Sequence, residues 1–121
     1  MAPTVAALFR GRPTARRLFA AVKEAIERAG PSTTRITKSE IAFRRRRGFA
    51  WAWTPDRWLR ADAVAPLVLS IALPRRARSK RWKEVVELQP GRFMHHLELY
   101  DVAGVDDEVR AWLRKAWADA G

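Results

Sequence analysis

The hydrophobic positions of this chain change period along its length. Over residues 14–29, Leu18, Phe19, Val22, Ile26 and Ala29 recur at three- and four-residue steps, the pattern of a helix with one apolar face. Thr14 is the expected N-cap, and Gly30-Pro31 ends the helix by pairing a flexible residue with one that cannot continue it. The run TVAALF at residues 4–9 predicts a short helical turn beside it. From residue 41 the period falls to two. Ile41-Ala42-Phe43-Arg44-Arg45 and Phe49-Ala50-Trp51-Ala52-Trp53 alternate as strands do, with arginines 44–47 between them.

The loop length of this hairpin decides which faces align. A two-residue loop, Arg47-Gly48, puts Ala42 opposite Trp53. A three-residue loop, Arg46-Arg47-Gly48, sets Phe43 opposite Trp51 and Ile41 opposite Trp53, gathering the large apolar groups on one side. Because a one-residue slip would expose half of them, the second register is expected. It also places Gly48 at the left-handed position of the turn. Arg46 and Arg47 then sit at the solvated tip, and Arg45 ends the core-facing row with its guanidinium reaching for water. Arg44 points to the opposite face with Lys38, Glu40, Ala42, Ala50 and Ala52, an alanine floor with basic side chains above it.

Residues 54–66 read as a loop, with Trp58 and Leu59 tucked against the body. Residues 67–73 form a third strand, large at odd positions and small at even ones. Residues 74–83 form an exposed basic loop and residues 83–89 a fourth strand. Pro90-Gly91 turns into a fifth strand over 92–100, with Phe93, His95, Leu97 and Leu99 on one side and Met94, His96, Glu98 and Tyr100 on the other. Residues 106–119 close the chain as a helix with Val109, Trp112, Leu113, Ala116 and Trp117 as its stripe and Asp106 as N-cap. The fold class is therefore α+β: one compact domain over 1–121, an antiparallel sheet of four to five strands, and N-terminal and C-terminal helices packed on one face. The other face stays open.

Composition adds a partner class. The 121 residues fit one domain, and the absence of cysteine excludes disulfides and thiolate chemistry and suits a cytoplasmic location. The longest apolar run, residues 63–73, is broken by Pro66 and Ser70 and is too short to cross a bilayer, so no membrane insertion is expected. The net charge of +11 is unevenly placed. Residues 35–83 carry fourteen basic and three acidic side chains, 14 − 3 = +11, whereas residues 84–121 carry four basic and eight acidic, 4 − 8 = −4. Such a field attracts nucleic acid, acidic membranes or acidic proteins. A GC-rich coding bias yields the same wealth of arginine and alanine without any ligand.

The strings TKSEIAFRRRRGFAWAW, PGRFMHHLELY and DDEVRAWLRKAW together resemble a small bacterial family, the domain of unknown function 5655 family, from Thr4 to Trp117. The resemblance implies a compact α+β domain that also occurs fused to other modules, including nuclease-like ones, and implies no catalytic residues. A weaker similarity to small iron-chaperone-like domains implies acidic metal-binding surfaces, but Asp106, Asp107 and Glu108 are explained by capping and the helix dipole.

Candidate sites follow. His95 and His96 are strand neighbours facing opposite ways, so they cannot chelate one ion, and no metal or other cofactor is expected. No carboxylate pair, G-x-S-x-G frame or glycine-rich phosphate loop points to an independent enzyme. The leading expectation is a non-catalytic module binding nucleic acid or another polyanion. Arg44, Arg46 and Arg47 of the hairpin and Arg76, Arg78, Lys80 and Arg81 of the loop would meet phosphates, and Trp82 would stack. The alternative is a small-ligand or protein-interaction adaptor in which Lys38, Arg44, Ser70, His96 and Tyr100 line an anion-friendly groove on the open sheet face. An exposed Trp58 or Trp82 would also suit a homodimer contact or an associated module.

Overall fold

A computed structural model describes residues 2–57 and 64–121 of the chain. The elements are α1 (Val5–Leu8), α2 (Pro13–Ala29), β1 (Thr33–Ile36), β2 (Glu40–Arg44), β3 (Gly48–Trp53), β4 (Leu67–Leu73), β5 (Trp82–Gln89), β6 (Arg92–Leu99) and α3 (Asp107–Asp119). The strands form one antiparallel sheet of six, in the order β1-β2-β3-β4-β6-β5. The expected architecture stands, with one more strand than predicted. That strand is β1, a short edge element whose Thr33, Thr34 and Arg35 are exposed, so it carries no apolar alternation to reveal it. Trp58 and Leu59 fall outside the described residues.

Helix α2 starts one residue earlier than its periodicity suggested. Pro13 occupies the first helical position, where its missing N–H costs nothing and its fixed φ suits the helix, so Thr14 does not cap. Arg12 stands at the N-cap without a side-chain capping bond and instead pairs with Asp56 at 2.9 Å. The α3 boundary is as expected, with the Asp106 carboxylate accepting from the Val109 amide. Helices α2 and α3 pack on each other and on one face of the sheet, burying Leu18, Phe19, Val22 and Ile26 from one and Val109, Trp112, Leu113 and Ala116 from the other. Each fully buried Leu, Phe or Val contributes roughly 1.5–3 kcal/mol.

The hairpin takes neither of the two registers that its loop length offered. Ile41 faces Ala52, Ala42 faces Trp51 and Phe43 faces Ala50, and the loop comprises residues 45–47, closed by the Arg44–Gly48 pair. A bulge adds one residue, Phe49, to β3, and Phe49 and Ala50 both turn inward at 1% and 0% exposure. The reason lies with α3. It packs against β3 and β4, and the small Ala50 and Ala52 leave room for its own bulk at Trp112 and Leu113. Trp51 and Trp53 therefore face away from the helices; of the alanine floor, Ala50 and Ala52 belong to the core and Ala42 stays on the open face.

Strand β4 is buried along its whole length. Its large odd residues meet the helices. Its small even residues, Val68, Ser70 and Ala72, lie opposite Trp53, Trp51, His96 and Met94 of the flanking strands, which need that space.

Candidate nucleic-acid interface

The arginine run first serves the fold. The Ala120 carbonyl accepts from the backbone N–H groups of Arg46 at 2.9 Å and Arg47 at 3.2 Å. Arg45 donates from Nη1 to the Trp117 carbonyl at 2.7 Å, and its guanidinium carbon lies 3.6 Å from the Trp117 ring centroid. Arg47 donates to the Asp119 carbonyl at 2.8 Å and pairs with its carboxylate at 3.4 Å. The carbonyls at a helix C-terminus have no intrahelical partners and carry partial negative charge, so this tip caps α3. Arg45 does not snorkel into water. Gly30 also approaches the Trp117 ring closely, and the indole N–H donates to the Pro31 carbonyl.

The outward charge remains on Arg44 and Arg46, both exposed. The fold adds arginines from two other turns. Arg75 and Arg76 leave the same end of β4, with Arg76 over the Phe93 ring at 5.3 Å. Arg92, just after the β5–β6 turn, reaches past β4 and donates to the Gly48 carbonyl at 3.1 Å. Three turns far apart in sequence thus converge at one end of the sheet. Arg92 was missed because its place next to the hairpin depends on β6 lying beside β4.

Residues 74–81 then run as a strap across β6 on its helix-facing side. His95 and Trp82 pin the strap at one residue: the Ala77 amide donates to His95 Nε2 at 3.0 Å, and Trp82 Nε1–H donates to the Ala77 carbonyl at 2.9 Å. Trp82 packs 4.1 Å from Trp112 and 4.8 Å from His95, ring to ring, so it belongs to the core edge and offers no stacking surface. Arg81 pairs with Asp106 and Glu108 at 3.0 Å each and donates to the Gly104 carbonyl, which removes it from the candidate phosphate contacts. Partial burial pushes the Asp106 carboxyl up, but the Val109 amide and Arg81 outweigh it and hold the group below the usual carboxylate range. Arg78 and Lys80 remain exposed on the strap, away from the hairpin.

His95 is wholly buried. Nε2 must accept from the Ala77 amide, so Nδ1 carries the proton and donates to the Phe93 carbonyl at 3.1 Å. Burial, assisted by the Arg76 and His96 charges, pushes its pKa down and keeps the ring neutral.

On the open face, Ser70 Oγ accepts from Trp53 Nε1–H at 3.0 Å and lies 2.7 Å from His96 Nδ1. Burial lowers the His96 pKa, against the opposing pull of Glu84. A groove of about 450 Å³ is lined by Trp53, Val68, His96, Lys83, Glu84 and Glu98, with Pro55 and Val64 at its edge. Of the five groove residues expected, it brings together His96 and, behind it, Ser70. Tyr100, 62% exposed, turns instead toward Thr14 and Arg17 of α2, and Lys38 and Arg44 lie at opposite ends of β2. The charged rim of Glu84, Glu98 and Lys83 does not favour an anion.

A family model, the domain of unknown function DUF5655, matches residues 5–120. The chain belongs to that family. No curated protein and no solved structure matches it. The match to DUF5655 runs from α1 to the end of α3, so hairpin, strap and open face all lie within the family domain. Among the described residues of this DUF5655 domain, no three His, Asp or Glu side chains gather as a metal site, and no helix is long and apolar enough to cross a membrane.

Proposed function

We propose that this domain binds nucleic acid as a polyanion, through the basic end of its sheet. The supporting observation is the convergence of Arg44 and Arg46, Arg75 and Arg76, and Arg92 from three separate turns, with Arg92 tied directly to the hairpin at Gly48. Asp119 is the carboxylate that ion-pairs at this tip, and it is matched by Arg47. The side chains of Arg44 and Arg46 meet phosphates, and Arg76, Arg78 and Lys80 extend the field along the strap. The contacts are to the backbone of the nucleic acid, so sequence preference is weak.

Fluorescence anisotropy with a labelled oligonucleotide over a salt series tests this. Each phosphate contact contributes a slope of about 0.7–0.9 in log affinity against log salt, so four contacts give roughly 3. Replacing Arg44, Arg46 and Arg92 together with alanine should lower the slope by about 2. Binding that disappears near physiological salt, or a slope unchanged in the triple variant, would refute the assignment.

The groove beside His96 supports a second reading, a small-ligand adaptor. Its apolar walls and two carboxylates suit a neutral or cationic ligand. Val68→Phe would fill it, so any small amine found to raise the melting temperature should lose that effect in the variant; an undiminished shift would place the ligand elsewhere.

A further inference from the structure

We infer that the β1–β3 half of the open sheet face stacks unpaired bases on Trp51, so that the occupant of the interface is single-stranded nucleic acid. The inference rests on the polyanion reading above and adds the class of nucleic acid.

The bulge at Phe49 sends Trp51 to the open face. Its cross-strand neighbour on β2 is Ala42, and the next residue in that row, on β1, is Arg35. The indole lies down along its own strand: a Cβ at Gly48 would stand 2.7 Å from Trp51 Cζ2. Gly48 has no left-handed φ, so the ring accounts for the glycine. The benzo side of the indole therefore lies close against Gly48 of the hairpin. The small Ala42 beside it leaves aromatic surface at the top of the sheet, and the residue is only half-buried. The other tryptophans among the described residues are committed elsewhere. Trp53 donates to Ser70, Trp82 to Ala77 and Trp117 to Pro31, while Trp112 is buried under α3.

Charge frames the same platform. Arg35 lies to one side of it, and Arg44, Arg46 and Arg92 lie toward the hairpin end. A flat aromatic flanked by guanidiniums matches a nucleotide, whose base stacks while the phosphates on either side are neutralised. Duplex nucleic acid hides its base faces in its own stack and gains nothing from such a platform. Glu84 and Glu98 occupy the β5–β6 side of the open face and Glu40, opposite Trp53, the far end of β2; these carboxylates repel phosphate and confine the strand to Trp51 and the hairpin end.

Three labelled probes of about 12 nucleotides, within the range one such surface covers, decide the matter: oligothymidine, an abasic oligomer of equal length, and duplex DNA. The full chain should bind oligothymidine at least ten-fold more tightly than the abasic oligomer. Trp51→Leu should abolish that ratio and leave abasic binding unchanged, whereas Trp51→Phe should retain most of it. Ala42→Leu, which covers the platform without entering the core, should act like Trp51→Leu should the latter be poorly folded. Equal affinity for oligothymidine and the abasic oligomer, or a stronger preference for duplex, would overturn the inference and leave the polyanion reading standing. Failure to bind any of the three near physiological salt would overturn both.

Discussion

Replacing Arg45 with alanine removes three interactions at one point. The guanidinium donates to the Trp117 carbonyl at 2.7 Å, stacks 3.6 Å above the Trp117 ring, and places a cation at the C-terminus of α3. A hydrogen bond from a charged donor is worth about 1.5–3 kcal/mol where its partner stays dry, less here because the site is part-exposed and water can replace the donor. The cation–π contact adds about 0.5–1 kcal/mol and the helix dipole about 0.3–1 kcal/mol. These overlap, since one group makes all three, so the expected loss is about 2 kcal/mol. For a domain of this size that corresponds to a fall in Tm of roughly 8 °C, or about 1 M in a urea midpoint. Urea denaturation followed by far-UV circular dichroism reads it without depending on tryptophan emission. Arg45→Lys keeps the charge but not the planar stack, and should lose about half as much. A double-mutant cycle with Trp117→Leu isolates the stack and should give a coupling of about 1 kcal/mol. A loss below about 0.5 kcal/mol in Arg45→Ala, or no coupling in the cycle, would return the arginine to the water-reaching role that its sequence position suggests.

Gly30→Ala should cost more than about 2 kcal/mol, because φ is +150° and the added methyl collides with the Trp117 ring; a variant as stable as the parent by urea titration would refute that packing. Stability should fall as pH drops below about 6.5, the unfolded histidine value. His95 and His96 both have lowered pKa in the fold, so unfolding takes up protons there, and the contribution is complete above that pH and lost progressively below it. Urea midpoints that stay flat from pH 7.5 to 5.5 would contradict it. Ser70→Ala removes the hydroxyl that accepts from the Trp53 indole N–H and should cost about 1 kcal/mol, whereas Ser70→Thr, which keeps the hydroxyl, should cost less; the two variants compared by thermal melt give the answer.

The helices, five of the strands and the N-cap at Asp106 were legible because each rests on local periodicity or on a short-range bond. The hairpin register was not. Alternation in Ile41–Arg45 and Phe49–Trp53 fits two pairings equally well. Collecting the large groups on one side favoured one of them, but the bulge at Phe49 produces a third pairing, because the core face of β3 had to be small for α3 to approach. The same error hid Trp51 and placed Ala50 and Ala52 on the open face, where of the three alanines Ala42 alone lies. Among the candidate phosphate contacts, the hairpin residues were visible as a run of charge. Arg81 and Trp82 looked equally available, since their partners Asp106, Glu108, His95 and Trp112 lie elsewhere in the chain. Arg92 and Arg35 acquire their positions from strand order and register, which no window of sequence contains.

The placement of β6 between β4 and β5 also bears on the order in which the chain assembles. Both β4 and β5 run antiparallel to β6, so they point the same way and cannot form a simple hairpin with each other. During synthesis β5 emerges with no native partner and has to wait for the residues that follow it. The turn at Pro90-Gly91 then lets β5 and β6 zip locally, and the finished hairpin enters beside β4 under the strap, where Ala77 meets His95. The last third of the chain thus joins the sheet as a unit. Until it does, the edge of β4, a strand buried along its whole length in the finished fold, stands uncovered.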